Sequence, residues 1–334
     1  MRPPWAGLVA LALAACGGPA SDAPIETVLL PTGSTFAQMT DSLAAHQIVT
    51  NRWAFTWLAR LGRFDRKLKA GLYEIRRGES GLEVLRMIAA GREKTFKLTV
   101  PEGFTLLEIA ALAEQTLGLS ADSVLAATRD PELLREFQVD GETFEGFLLP
   151  ETYFVSKLIT PRGLVRELAE LFRKSWDPRW DTRRQELGLS RGDLVTLASI
   201  VEGEALVDGD RPLVAAVYLN RIRLKMPLQA DPTVQYALQM ATGQRKPRLL
   251  LRDYQFRSVF NTYLHPGLPP SPVGAPSVRS IEAVLEPAPV PYLYFVAGLD
   301  GKHVFSRTYG EHLRAIAKIR AAERQARRAP RGTP

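Results

Sequence analysis

One eight-residue pattern of this chain recurs. Val28-Leu29-Leu30-Pro31-Thr32-Gly33-Ser34-Thr35 is echoed 70 residues later by Leu98-Thr99-Val100-Pro101-Glu102-Gly103-Phe104-Thr105, with Pro, Gly and Thr at matching places. Each copy runs from an apolar, strand-like segment through a turn into an amphipathic helix. Gly supplies the positive φ that a tight turn needs, and Thr is a favoured residue just before a helix. Two copies do not make a solenoid. They indicate one strand–turn–helix unit used twice, which puts the chain in the α+β class.

The rest of the chain is read around these anchors. Residues 26–97 form a small mixed module. Val28–Leu30 reads as a strand, Thr35–Ala45 as a helix with Phe36, Met39 and Leu43 inward, and Leu72–Ile75 as a second strand. Ser80 caps a helix carrying Leu82, Leu85, Met87 and Ile88, which ends at Gly91. Residues 98–186 read as a second α/β unit, helical over the acidic stretch 120–140. From Ser156 to Glu186 it becomes a charged helical connector, broken near Asp177-Pro178.

Residues 187–320 carry the densest chemistry. Ser190 and Asp193 form a capping box for a helix with Leu194, Leu197, Ala198, Val201 and Ala205 on one face. A second helix runs from Asp210-Arg211-Pro212 to Leu224. A third starts at Asp231-Pro232, with Asp231 as its cap and Pro232 in its first turn. Residues 258–276 are too rich in Pro and Gly for regular structure. Tyr292–Ala297 and His303–Ser306 flank Gly298-Leu299-Asp300-Gly301 and read as a β-hairpin. A last helix with Leu313, Ile316 and Ile319 gives way to a basic tail, residues 321–334, expected to be disordered.

The net charge of +7, from 43 basic and 36 acidic side chains, suggests nucleic acid until it is divided along the chain. Residues 51–100 carry 12 basic and 5 acidic groups, residues 101–150 carry 2 and 10, and residues 314–334 carry 7 and 1. The excess is thus a basic module and a basic tail opposed by an acidic segment. The N-terminus argues further against DNA. Residues 1–15 have the charge, apolar run and small residues of a signal peptide. The run is too short to span a bilayer. Leu13-Ala14-Ala15-Cys16 resembles a bacterial lipobox, which implies lipidation of Cys16, a tether over residues 16–25, and a chain held at a membrane outside the cytoplasm.

On the helix after Ser190, Glu202 and Glu204 fall about 80° to either side of the apolar stripe. They cannot face one bond together. A border position that desolvates one carboxyl would raise its pKa and suit it to general acid work. From the helix alone, two solvated edge acids is the stronger reading.

The surrounding text changes that balance. Thr196-Leu197-Ala198-Ser199-Ile200-Val201-Glu202-Gly203-Glu204 is followed by Val217-Tyr218-Leu219-Asn220-Arg221-Ile222-Arg223 and Leu228-Gln229-Ala230-Asp231-Pro232-Thr233-Val234-Gln235-Tyr236. Beyond these stand Asn261-Thr262-Tyr263, Gly267-Leu268-Pro269-Pro270-Ser271-Pro272 and Tyr292-Leu293-Tyr294-Phe295-Val296-Ala297, with Glu145-Gly146-Phe147-Leu148-Leu149-Pro150-Glu151-Thr152-Tyr153 upstream. This ordered set resembles the MltG (YceG-like) family of endolytic murein transglycosylases, over about residues 28–320.

The resemblance implies a LysM-like module at residues 26–97 and a catalytic region at 187–320. It implies cleavage of the bond between N-acetylmuramic acid and N-acetylglucosamine without water, leaving 1,6-anhydro-muramic ends. It matches Glu202 to the family's catalytic glutamate, acting first as acid and then as base. One carboxyl suffices for that chemistry, whereas ordinary glycosidases need two, about 5 to 9.5 Å apart. Glu204 is left a structural or supporting role.

Asn220, Gln229, Asp231, Tyr236, Asn261, Thr262 and Tyr263 are the polar groups expected around the sugar. Capping is an equal alternative for Asp231, and core packing for the tyrosines. The four histidines form no ligand cluster, so no metal or other cofactor is expected. The expected partners are peptidoglycan strands, the membrane through its lipid anchor and, by resemblance, peptidoglycan synthases. A non-catalytic glycan-binding lipoprotein and a hydrolytic muramidase are the competing readings.

Overall fold

The computed structural model describes residues 22–205 and 207–328. Cys16, the signal-like run and the end of the basic tail lie outside them. The described residues form thirteen α-helices and six short strands, a mixed α+β architecture whose strands pair only in twos. The chain divides into two compact units.

The first unit is the described part of Met1–Leu98 with Phe154–Thr160. Strand β1 (Ile25–Leu30) runs antiparallel to β2 (Gly71–Arg76), with Val28 opposite Tyr73 and Ile25 opposite Arg76. Helix α1 (Phe36–Ala45) begins at a full capping box. Thr35 accepts from the Gln38 N–H, and the Gln38 side chain accepts from the Thr35 N–H. Helix α2 (Arg52–Leu61), between the two strands, escaped the sequence reading; Asn51 caps it. Helix α3 (Gly81–Ala90) is capped by Ser80 and closed by Gly91 at φ 72°. One core joins these elements, from Val28, Leu30, Tyr73 and Ile75 on the strands to Leu43, Phe55, Val84, Leu85 and Ile88 on the helices.

The second unit is Thr99–Tyr153 with the described part of Pro161–Pro334. Strand β3 (Thr95–Thr99) pairs with β4 (Thr152–Ser156), and most of both strands belongs to the first unit. The second copy of the repeat then enters α4 (Leu106–Leu117), again through a capping box, Thr105 with Glu108. The acidic stretch forms α5 (Ala121–Ala127) and α6 (Pro131–Glu136). The segment expected to be a connector is α7 (Pro161–Ser175) and α8 (Pro178–Glu186), broken where Asp177 caps the second. It is part of the core rather than a link, because Leu164, Val165, Leu168, Ala169 and Phe172 are buried.

Helix α9 (Arg191–Glu204) is the centre of this unit. Every residue from Leu194 to Val201 is buried. It packs against α10 (Arg211–Arg223), α11 (Asp231–Thr242) and α12 (Val278–Leu285). Residues 258–276 lack regular structure yet are held by main-chain bonds: Gly103 N–H to Ala275 O, and Ala275 N–H to Phe104 O, both 2.8 Å. At Gly274, φ is 155°, and a Cβ there would lie 2.7 Å from Gly103 O. The hairpin β5 (Tyr294–Ala297) and β6 (His303–Ser306) is antiparallel, with Phe295 opposite Phe305. The last helix, α13 (Tyr309–Arg328), runs past residue 320, so residues 321–328 are helical and not part of a disordered tail.

Candidate active site

Helix α9 delivers its two glutamates into different surroundings. The Glu202 carboxylate is only 5% exposed. Its Oε1 accepts from Arg211 Nη2 at 2.7 Å, while its Oε2 accepts from the Ser277 N–H at 2.8 Å and from the Ser277 hydroxyl. Arg211, itself buried, also donates to Ser280 Oγ at 3.0 Å and pairs with Asp208. Arg279 extends the network, reaching Asp208 at 2.8 Å and Glu102 at 2.9 Å. Burial works to raise the Glu202 pKa, but the bonds from Ser277 and the Arg211 guanidinium outweigh it and hold the carboxyl below its ordinary value. The rise expected from the helix border is therefore reversed. A carboxylate with an opposite charge and three donors stays ionised, and here it ties the end of α9 to the starts of α10 and α12.

Glu204 faces a cleft of about 310 Å³ that Tyr218, Arg221, Gln229, Asp231, Tyr263 and His303 also line. Its Oε1 accepts from the Tyr218 hydroxyl at 2.9 Å and from the Asp231 N–H at 3.2 Å. Burial first, and then the Asp231 charge, push its pKa up to about 7; the two hydrogen bonds and Arg221 only partly oppose them. A carboxyl that carries its proton near neutrality beside open space can give that proton to a ligand. Of the two glutamates, Glu204 is the one whose surroundings raise its proton affinity, and Glu202 the one whose surroundings lower it.

The cleft walls are tied together by hydrogen bonds. Arg221 is buried and tied to main-chain carbonyls, at 2.7 Å to Leu293 O and 2.6 Å to Leu228 O. The Asp231 carboxylate accepts from the Tyr263 hydroxyl at 2.7 Å and the Tyr254 hydroxyl at 3.3 Å. Asp231 does not cap α11: Ala230 holds that position, and the Asp231 side chain turns to the tyrosines instead. Gln229 is exposed and takes φ 52°, a left-handed conformation uncommon outside glycine, where strain tends to gather at working sites. His303 is fixed by Asp210, which accepts from its N–H at 2.7 Å and meets its Nδ1 at 2.9 Å.

Of the polar residues expected around the sugar, Gln229, Asp231 and Tyr263 come together in this cleft. The other four do not line it. Asn220 donates to Val290 O and Tyr292 O, both at 2.9 Å, and so holds the irregular segment that leads into the hairpin. Asn261 and Thr262 are fully buried: Asn261 donates to Tyr254 O and Phe256 O, and Thr262 accepts from the Ala230 N–H. Tyr236 donates to the buried Glu145. Tyr218, Arg221, Asp210 and His303 escaped the sequence reading. Tyr218 and Arg221 are buried on α10, and Asp210 and His303 are 93 residues apart.

Residues 28–318 match the YceG-like family. The chain belongs to that family. Among relatives of this YceG-like protein is the "Endolytic murein transglycosylase" of Bacillus subtilis (strain 168). It is 31% identical over 307 residues, covering 86% of this chain and 83% of the relative. A protein of the same name from Streptococcus pneumoniae serotype 2 is 30% identical over 321 residues, and the chain spans only 58% of its length. A crystal structure of a yceG-like protein from Listeria monocytogenes superposes with a TM-score of 0.61 at 29% identity, covering 87% of this chain and 98% of that one.

Proposed function

We propose that this YceG-like chain is a peptidoglycan lytic transglycosylase, and that Glu204 is its proton carrier. One observation carries the assignment: a carboxyl with its pKa raised to about 7 lines a polar cleft, while its neighbour on the helix is neutralised by an arginine. The names of the relatives support the substrate, which is the murein glycan strand.

Protonated Glu204 gives its proton to the oxygen between N-acetylmuramic acid and N-acetylglucosamine, and the bond from the muramic anomeric carbon to that oxygen breaks. The new carboxylate keeps the hydrogen bonds of Tyr218 and the Asp231 N–H, which stabilise its charge. It then takes the proton of the sugar's own 6-hydroxyl as that oxygen bonds to the anomeric carbon. No water is consumed, the 1,6-anhydro ring closes, and Glu204 is again protonated. Gln229 and Tyr263 are placed to orient the sugar. Glu202, matched by family resemblance, is the competing carrier, and its pairing with Arg211 weighs against it.

Asp231 shares the cleft, so a second carboxylate could instead activate water, as in a hydrolytic muramidase. Digestion of purified peptidoglycan followed by mass spectrometry separates the readings. Anhydro ends that fall about 10²- to 10⁴-fold in Glu204→Gln are expected. Full activity in that variant would overturn the role of Glu204, and reducing ends would mean hydrolysis. The absence of products from the unaltered chain would favour a glycan-binding protein.

The lipobox at Cys16 supports a membrane anchor. No helix among the described residues is long and apolar enough to cross a membrane. Cys16→Ala should then release the protein from membranes. By the family resemblance, residues 26–97 form the LysM-like glycan-binding module, and peptidoglycan synthases are the partners to seek by co-purification.

A further inference from the structure

Helix α2 is apolar on two opposite sides. Phe55 and Ala59 face the core of the first unit, 4% and 0% exposed. Trp53, Trp57 and Leu61 recur every fourth residue within about 80° of arc on the other side. They are 72%, 55% and 85% exposed, and the two indoles meet edge to face with centroids 6.0 Å apart. Water is a poor neighbour for such a stripe, and contiguous exposed apolar surface marks an interaction site.

The charge that follows the stripe along the chain bears on what covers it. Arg60, Arg63, Arg66 and Lys67 are all exposed, and none joins an ion pair among the described residues. Asp65 is the one acid between residues 52 and 70. A glycan platform would pair its aromatic faces with acids and amides for sugar hydroxyls, yet residues 52–67 contain a single acid and no Asn or Gln. Tryptophan and leucine flanked by arginine and lysine is instead the composition of a surface that settles at the headgroup level of a bilayer.

We propose that this face docks on an anionic membrane surface. Trp53, Trp57 and Leu61 enter the headgroup region, and Arg60, Arg63, Arg66 and Lys67 meet lipid phosphates. Strand β1 begins nine residues after Cys16, about 30 Å of fully extended chain at most. The lipidation proposed above would hold the face within reach of a bilayer, and docking would then fix the unit against the surface.

A chain starting at Gly17 tests the docking without the lipid, because it keeps every described residue and lacks Cys16. It is mixed with vesicles of phosphatidylglycerol and phosphatidylcholine, with vesicles of phosphatidylcholine alone, and with purified peptidoglycan sacculi. Sedimentation should show preference for the anionic vesicles, weakening as salt is raised, with tryptophan emission quenched by brominated lipid. The triple variant Trp53→Ala/Trp57→Ala/Leu61→Ala should lose at least ten-fold in vesicle partition at an unchanged melting temperature, since all three side chains lie outside the core. No preference for anionic vesicles, or equal binding by the triple variant, overturns the proposal. So does loss of sacculus binding alone, which would make the face a glycan platform. None of these outcomes touches the transglycosylase reading, which stands or falls on Glu204.

Discussion

Glu202 and Glu204 stand two residues apart on one helix and acquire opposite chemistry. Arg211 neutralises the first, while burial and then the Asp231 charge raise the proton affinity of the second. Removing one partner of a buried ion pair strands the other, at about 3 to 5 kcal/mol. Arg211→Ala is therefore expected to destabilise the fold by that order, read as a lower urea midpoint. Arg211→Ala/Glu202→Gln should recover part of the loss. At Glu204, a general acid must hold its proton, so cleavage should decline as pH rises through about 7, and a pH–rate profile of anhydro-end formation checks it. A rate that rises through pH 7 would contradict an acid role. The sequence set both glutamates at the edges of one apolar stripe, whereas every residue from Leu194 to Val201 is buried. It could not rank them, because the groups that do so lie 9, 27 and 75 positions away.

At the scale of elements, local signals read well. Ser80 and Ser190 cap the helices expected behind them, Thr35 and Thr105 cap the helices that follow the two copies of the repeat, and Asp177 caps the helix after the expected break. The hairpin lies where Gly298–Gly301 announces it. Helix α9 is buried along most of its length, so its start matters to the whole second unit. Ser190→Ala should cost about 1 kcal/mol, seen as a lower melting temperature, whereas Ser190→Gly should cost only a few tenths. Local signals failed in three places. Helix α2 was missed because it is apolar on both sides and shows no single stripe. Segment 156–186 reads as a charged connector because its abundant Arg and Glu obscure an inward row of Leu, Val and Phe. Asp231 reads as a cap because Asp-Pro favours one, but two tyrosine hydroxyls claim its carboxylate.

At the scale of the molecule, stability should depend on pH through a buried acid far from any surface. Glu145 is 2% exposed and accepts from the Leu106 N–H and the Tyr236 hydroxyl. Burial pushes its pKa up to about 8, above the ordinary 4.5. The folded state thus holds this proton more tightly than the unfolded one does. Its contribution is complete below about pH 4.5, declines as pH rises, and is lost above about pH 8. The total is of the order of a few kcal/mol. Glu204, raised in the same direction, adds to the decline. Melting temperatures from pH 4.5 to 8.5 should fall for the unaltered protein and flatten in Glu145→Gln. An equally steep fall in that variant would assign the dependence elsewhere.

The sequence by itself determined the class, the positions of most helices and their caps, the repeated strand–turn–helix unit and the hairpin. These depend on periodicity and on hydrogen bonds between residues a few positions apart. Only the tertiary structure decided which glutamate faces a cleft, which polar residues share it, and which merely hold a loop. Those outcomes depend on desolvation and on charges brought together from distant parts of the chain: Arg211 and Ser277 at Glu202, Asp231 and Tyr218 at Glu204. A carboxyl's proton affinity is a property of its surroundings, and the surroundings exist only after folding.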